Sequence, residues 1–110
     1  MSDERTPRRS SRIAVEVPIN VTVGGRLIRA TATDLSEHGL FLRTQEDVIA
    51  DLALIVEAAL PDGPLLLIGR SRFTGKTSSG QGIGIEIFPS SEEARERWLS
   101  YVRSFAKSNR

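Results

Sequence analysis

The 110-residue chain has room for one hydrophobic core but not for a second. It has no cysteine, which excludes disulfides and thiolate metal sites, and its single histidine argues against a multi-histidine metal centre. The formal net charge is +1, yet residues 1–12 contain four arginines against two acidic residues, so the rest of the chain is nearly neutral. Proteins that bind nucleic acid polymers usually spread positive charge over the fold, so this distribution favours a small anionic ligand.

The N-terminal residues are polar, and no apolar run approaches the length of a membrane span. We therefore expect neither a signal peptide nor membrane insertion. By composition alone, residues 1–11 predict a solvated, flexible terminus. The lack of cysteine fits a reducing cytoplasm, which is the expected location.

Alternating apolar residues predict two strands at the start of the domain. Every second residue from Ile13 to Val23 is aliphatic, as in a half-buried strand, and Pro18 indicates an edge, a bulge or two short strands. Gly24-Gly25 suits a two-residue hairpin turn. Residues 26–33 then alternate again and form the second predicted strand.

The next residues, Asp34 to Gly39, predict a tight connection that holds polar side chains at one end of a sheet. Asp34 and Ser36 are two residues apart, so in an extended segment both project to the same side. A carboxylate and a hydroxyl can together bind a planar group with paired N–H donors, such as the edge of a guanine. Gly39 allows a positive φ or a close approach of the backbone. Such residues more often satisfy their own backbone, as in an Asx-turn.

An arginine pair upstream of this stretch connects the chain to a known family. Arg8 and Arg12 form an R-x-x-x-R pair, and the later D-x-S-x-x-G pattern consists of Asp34, Ser36 and Gly39. Together they resemble the signature of PilZ domains, the bacterial receptors for the second messenger cyclic di-GMP. A Gly-Ile-Gly-Ile-Glu-Ile strand at residues 82–87, followed by a closing helix, is also typical of the family. The resemblance therefore covers nearly the whole chain.

The arginine motif has two possible registers. Arg5 and Arg9 form a second R-x-x-x-R pair beside Arg8 and Arg12. We prefer Arg8 and Arg12, because Arg12 directly precedes the first strand and is the better anchored of the candidates.

The middle of the chain predicts further strands. Residues 39–44 have the pattern of a third strand, and residues 45–51 that of a polar loop. Residues 52–60 suit a helix on propensity, whereas the resemblance implies a strand. The Pro-Asp-Gly-Pro turn at residues 61–64 precedes an apolar strand over residues 65–73. Arg70 and Arg72 share one face of that strand, where they either extend an anionic site or, as is more common, are solvated.

The C-terminal part predicts one amphipathic helix. Residues 89–93 form a helix start with a possible capping box between Ser90 and Glu93. An apolar stripe at three- and four-residue spacing follows and consists of Ala94, Trp98, Tyr101, Val102 and Phe105. We expect this stripe to dock on the sheet, with Trp98 closing the open end of a small barrel. An oligomer or partner surface is the alternative use.

The resemblance implies an all-β fold, a six-stranded antiparallel β-barrel of residues 13–108 with a C-terminal helix at about residues 90–107. Residues 1–12 would be a flexible arginine-rich tail that clamps the ligand. The expected binding residues for cyclic di-GMP are Arg8, Arg9, Arg12, Asp34, Ser36 and Gly39. Scattered carboxylates offer no general acid and base pair, so we expect no enzymatic activity, no metal and no cofactor.

The implied function is a receptor that couples cyclic di-GMP binding to regulation of a protein partner, for example in motility, biofilm or exopolysaccharide control. The domain would be a monomer or a weak dimer. One alternative is an adaptor of the same type that binds no nucleotide and acts only through protein contacts. Another is a barrel that binds single-stranded nucleic acid, but the six aromatic residues offer few stacking platforms because half of them fall on the helix.

Overall fold

The computed structural model describes residues 12–46, 48–77 and 80–108, which form six antiparallel strands and one helix. The elements are β1 (Ile13–Val23), β2 (Arg26–Ser36), β3 (Gly39–Arg43), β4 (Ala53–Leu60), β5 (Gly63–Thr77), β6 (Gly80–Phe88) and α1 (Glu92–Ser108). The strands close into a barrel in the order β1-β2-β3-β6-β5-β4, in which β4 pairs with β1. The predicted fold, a six-stranded antiparallel barrel with a C-terminal helix, is confirmed.

The barrel interior is filled by side chains from alternate positions of every strand. Pairs that lie opposite each other in neighbouring antiparallel strands project to the same face, so the inward rows stack into one apolar core. The fully buried members with the largest side chains are Ile19, Leu35, Leu40, Leu42, Leu67, Ile83 and Trp98. The predicted inward face of the last strand is confirmed, because Ile83, Ile85 and Ile87 are all buried.

Helix α1 packs against the barrel through the predicted apolar stripe. Trp98 is 0% exposed and Val102 is buried, while Ala94, Tyr101 and Phe105 are partly buried against the same core. The indole and two following rings contact one another in sequence along the helix, with centroid separations of 5.8 and 5.0 Å. The docking function of the stripe is therefore confirmed for the tryptophan and its neighbours.

Three local predictions are refined by the structure. Residues 53–60 form strand β4, as the resemblance implied, rather than the helix that propensity favours. The irregularity in β1 lies between Ala14 and Val17, and Pro18 keeps a partner in β2. The helix begins later than predicted, because Ser91 rather than Ser90 accepts a hydrogen bond from the backbone N–H of Ala94 at 3.1 Å. Ser91 is thus the residue that caps the helix.

The polar connection is also shorter than the sequence suggests. Strand β2 extends through Ser36 and β3 begins at Gly39, so Asp34 and Ser36 lie on a strand and only residues 37–38 form the turn. Of the predicted tail, Arg12 is described, and Arg8 and Arg9 lie outside the described residues.

Candidate functional site

Two neighbouring rows of residues on the outer barrel face carry the predicted motif. The first row runs across β2, β3, β6 and β5 and consists of Asp34, Phe41, Gly84 and Phe73. The second row crosses the same strands and consists of Ser36, Gly39, Glu86 and Arg70. Because paired residues project to one face, both rows lie on the same outer side of the barrel wall, where neighbouring groups cover the side chains of Ser36 and Phe41.

A β-bulge in β2 places Asp34 on this surface. The β3 partners of Ala32 and Asp34 are consecutive residues, so Thr33 is one extra residue in β2. Ala32 is buried in the core, and strict alternation would direct Asp34 inward as well. The extra residue reverses the alternation, so Leu35 enters the core and Asp34 emerges outside.

A second bulge shapes the facing strand. Ser71 and Phe73 of β5 pair with consecutive residues of β6, which leaves Arg72 as the extra residue. Ser71 is fully buried, whereas Arg72 and Phe73 are both exposed on the outer face. Both bulges therefore turn polar or aromatic side chains of opposite strands toward one area of the barrel wall.

Arg12 and Asp34 are joined by an ion pair. Arg12 immediately precedes β1, whose Ala14 lies opposite Asp34 in β2, so its side chain crosses a single strand spacing to reach the carboxylate. Arg12 Nη1 donates a hydrogen bond to Asp34 Oδ1. The Asp34 side chain is 24% exposed and that of Arg12 is 53% exposed, so both groups remain accessible to a ligand.

Ser36 and Gly39 hold the turn against the barrel and the helix. The Ser36 hydroxyl is buried and donates to the Gly39 carbonyl at 3.2 Å, while the Ser36 carbonyl accepts from Trp98 Nε1 at 3.0 Å. The His38 carbonyl accepts from the N–H of Ile87 at 2.8 Å. A Cβ on Gly39 would overlap the carbonyl oxygen of Ile85, so only glycine allows this close strand contact. The turn is thus tied to β6 and to α1.

The facing wall contains a charged group in which Arg70 and Arg72, the arginine pair of the fifth predicted strand, contact acidic residues. Arg72 Nε donates to Glu86 Oε1 at 2.6 Å, and Arg72 Nη1 lies 3.3 Å from Asp51 Oδ1. Arg70 Nη1 donates to the Asp51 carbonyl at 2.9 Å. The sequence placed Arg70 and Arg72 on one face of a strand but gave no indication of Glu86, because only the pairing of β5 with β6 brings Glu86 to them.

An aromatic pair lies beside these charges. The rings of Phe41 and Phe73 stack with centroids 5.9 Å apart, one from each side of Gly84. A Cβ on Gly84 would overlap the Phe73 ring. The glycine in this outer row therefore allows the two rings to close over β6.

Together these residues line a cleft of about 200 Å³ on the barrel surface. Its lining includes Arg12, Ser36, His38, Gly39, Arg72, Phe73, Gly84 and Glu86. The structure thus brings Arg12, Ser36 and Gly39 into one cleft, with Asp34 bonded to Arg12 at its edge. Cationic groups, carboxylates and an aromatic ring in one cleft can contact phosphates, hydrogen-bonding base edges and flat π-faces, which a nucleotide combines.

Three titratable groups outside the cleft have perturbed pKa values. Hydrogen bonds and the charge of Arg43 lower the pKa of Glu16, and the same pair raises the pKa of Arg43. Burial raises the pKa of Tyr101 on helix α1. None of these three groups lines the cleft.

Within residues 12–46, 48–77 and 80–108 there is no group of three or more acidic or histidine side chains that could hold a metal ion. Nor does this part of the chain contain a helix that is both long and apolar enough to cross a membrane.

Comparisons with known proteins agree with this architecture. The family model described as PilZ domain matches residues 6–104. No curated protein sequence matches the chain.

Three solved structures share the fold at low sequence identity. The PilZ domain of YcgR from Escherichia coli with c-di-GMP has a TM-score of 0.76 at 11% identity, with 94% of each chain covered. The PilZ domain of CeSA from a cellulose synthesizing bacterium has a TM-score of 0.69 at 18% identity, covering 88% of this chain and 99% of that one. The Bacillus subtilis inhibitor of motility, MotI/DgrA, has a TM-score of 0.73 at 14% identity, covering 94% of this chain and 52% of that one.

Proposed function

The chain belongs to the PilZ domain family, and from this premise we propose that it is a receptor for cyclic di-GMP that acts on a protein partner and catalyses no reaction. The observation that carries the proposal is the Arg12–Asp34 ion pair beside Ser36 and Gly39, which joins the two signature motifs at one cleft. The structural neighbour from Escherichia coli contains c-di-GMP, which supports the same ligand here.

The chemistry of the cleft suits this ligand. Cyclic di-GMP has two phosphates and two guanines, so it presents both anionic oxygens and paired N–H donors. Arg12 can bind phosphate or the O6 and N7 atoms of a guanine, and Asp34 can accept hydrogen bonds from the opposite guanine edge. In the absence of ligand these two residues neutralise each other, and binding exchanges their contact for contacts to the nucleotide.

The remaining arginines complete the proposed clamp. Arg8 and Arg9 precede Arg12 in the sequence, and we assign them to the phosphates and the guanine faces. Residues 1–11 have almost no apolar surface to offset the entropy of ordering, so nucleotide contacts would supply the stabilisation. Hydrogen exchange should therefore show increased protection from Arg8 to Arg12 on ligand addition, with residues 1–4 unchanged. Equal protection with and without ligand would exclude closure of the tail as the switch.

Isothermal titration calorimetry with cyclic di-GMP tests the receptor function. A charge-assisted hydrogen bond contributes about 1.5–3 kcal/mol, so Arg12→Ala should weaken binding roughly tenfold to a hundredfold. Arg29→Ala is the matched control, because Arg29 is exposed on β2 but does not line the cleft. Asp34→Asn presents an NH₂ group to the guanine donors and should weaken binding strongly.

Two results would contradict the proposal. If the wild-type protein does not bind cyclic di-GMP, nucleotide recognition is refuted. If Asp34→Asn binds cyclic di-GMP as tightly as wild type, Asp34 has only a structural role. The other arginine pair would be the operative one if Arg5→Ala or Arg9→Ala lost affinity for cyclic di-GMP and Arg8→Ala and Arg12→Ala did not.

A second candidate function is an adaptor that acts through protein contacts alone. The observation that favours it is an exposed apolar row across three strands, in which Ile68 of β5 lies opposite both Ile55 of β4 and Phe88 of β6. Their exposed fractions are 50%, 46% and 41%. Exposed apolar groups that adjoin one another are typical of protein interaction sites. In either case we assign the domain to the cytoplasm, as a monomer or weak dimer.

A further inference from the structure

The cleft has a second guanidinium–carboxylate pair on the wall opposite Asp34. Arg72 and Glu86 are linked at 2.6 Å, and their side chains are 46% and 42% exposed. The pair matches the first one in chemistry, because each combines one arginine with one carboxylate. It differs in strand position, since the first pair involves β2 and the second lies on β5 and β6.

Arg72 is positioned by contacts on several sides. Its Nη1 contacts Asp51, its Nε contacts Glu86, and its guanidinium carbon lies 5.8 Å from the centroid of the Phe88 ring. A guanidinium held by two carboxylates and an aromatic face loses less freedom on binding than a mobile arginine would. Arg72 is therefore better ordered for ligand recognition than its exposure alone suggests.

Both members of this pair retain capacity for further hydrogen bonds. A guanidinium has five N–H donors, and the contacts to Glu86 and Asp51 use two of them. A carboxylate has about four acceptor positions, and Arg72 Nε occupies one on Glu86. A planar ligand that offers an acceptor beside a donor can thus bind both residues without breaking their mutual contact.

The two walls of the cleft, at Ser36 and at Glu86, leave room for a ligand between them. Ser36, Gly39 and Glu86 are successive partners across β2, β3 and β6. Since neighbouring strands are about 4.8 Å apart, the Cα atoms of Ser36 and Glu86 are separated by about 10 Å. Gly39 lies between these walls and has no side chain that would obstruct a base, while the Phe73 ring covers Gly84 and borders the space on one side.

We propose that Glu86 and Arg72 form a second guanine subsite, distinct from that of Asp34 and Ser36, and that they select guanine as the second base. This inference rests on the proposed function, because it assigns the other half of the same cyclic dinucleotide. Glu86 accepts hydrogen bonds from the N1–H and N2 amino group of guanine, while Arg72 donates to O6. Adenine lacks the N1–H and carries an amino group in place of O6, so it opposes the Arg72 donors and leaves the Glu86 carboxylate without a donor.

A comparison of two ligands tests this subsite. The probes are cyclic di-GMP and the mixed cyclic dinucleotide with one guanine and one adenine, each titrated into the wild-type protein, Glu86→Gln and Arg72→Gln by calorimetry. The wild-type protein should prefer cyclic di-GMP at least tenfold. Glu86→Gln should lose tenfold to a hundredfold in affinity for cyclic di-GMP. It should bind the mixed ligand at least as tightly as wild type, because adenine offers Glu86 no donor and the glutamine NH₂ can donate to adenine N1. Arg72→Gln should also weaken cyclic di-GMP binding more than mixed-ligand binding.

Glu57→Gln and Arg29→Gln are matched controls, because they make the same chemical changes on the outer barrel face at residues that do not line the cleft. Both should bind like the wild-type protein. If the wild-type protein binds cyclic di-GMP and Glu86→Gln binds it with the same affinity, the subsite is overturned and the receptor function stands. An equal loss for both ligands in Glu86→Gln would refute guanine selection by Glu86. If the wild-type protein bound neither ligand, the receptor function itself would fail, and the subsite with it.

Discussion

The indole of Trp98 connects helix α1 to the strand that carries the predicted motif. It is 0% exposed, and its Nε1–H donates to the carbonyl of Ser36 at 3.0 Å. Replacement by phenylalanine keeps an aromatic ring in the core but removes this donor and part of the side-chain volume. Trp98→Phe should therefore destabilise the domain and loosen the position of Ser36 in the cleft.

The size of the effect follows from two contributions. A typical intramolecular hydrogen bond contributes about 0.5–1.5 kcal/mol to stability. The smaller ring leaves a cavity of about 40 Å³, which at about 24 cal/mol per Å³ costs a further ~1 kcal/mol. The free energy of unfolding should thus fall by about 2 kcal/mol, which with a urea dependence of about 1–3 kcal/mol per molar lowers the midpoint by roughly 1 M.

Urea unfolding followed by far-ultraviolet circular dichroism measures this change, because Trp98 is the single tryptophan and the variant lacks intrinsic indole fluorescence. Phe88→Leu, at a position with 41% exposure, is the control and should shift the midpoint far less. Incorporation of the benzothiophene analogue of tryptophan replaces the N–H by sulfur at nearly constant volume, and it should cost about 1 kcal/mol. Wild-type stability of the analogue-containing protein would refute the contribution of the Trp98–Ser36 hydrogen bond.

Three further outcomes can be measured on the same protein. Ser71→Ala should lower the free energy of unfolding by about 1–3 kcal/mol in urea titrations, because the buried hydroxyl donates to the carbonyl of Ile49 and accepts from the N–H of Leu52. Gly84→Ala should cost about 1–3 kcal/mol, since the new methyl group displaces an aromatic ring, and an unchanged melting temperature would refute the close contact. Tyr101, the single tyrosine, should ionise above its ordinary pKa in an ultraviolet titration, because burial disfavours the phenolate. The stability that comes from burying the neutral phenol is therefore present below the unfolded pKa and is lost as pH rises through the folded pKa. A normal or lowered pKa of Tyr101 would contradict its buried environment.

Much of the fold could be predicted because it depends on local patterns. The alternation of apolar residues in β1, the Gly24-Gly25 turn and the apolar stripe of α1 each appear within a few consecutive residues. The strand β4 was ambiguous on these grounds, since its alanines and leucines favour a helix in isolation. Pairing with β1 and β5 on its two sides stabilises the extended form, and no local pattern reports such pairing.

The candidate site likewise has one part that local sequence patterns predict and another that depends on strand pairing. The amino-acid sequence by itself determined the chemical character of one wall, because Arg12, Asp34, Ser36 and Gly39 occur in motifs with definite spacing. Only the tertiary structure decided which face Asp34 occupies, because strict alternation from Ala32 would direct it into the core.

The physical reason lies in the register between strands. A bulge exists only when two strands pair with one more residue on one side than on the other, so the bulges at Thr33 and Arg72 depend on β3 and β6 as much as on their own strands. The same register brings Glu86 opposite Arg70 and beside Arg72, across fourteen residues of sequence. The second wall of the cleft is therefore a product of long-range pairing, which local sequence patterns do not report.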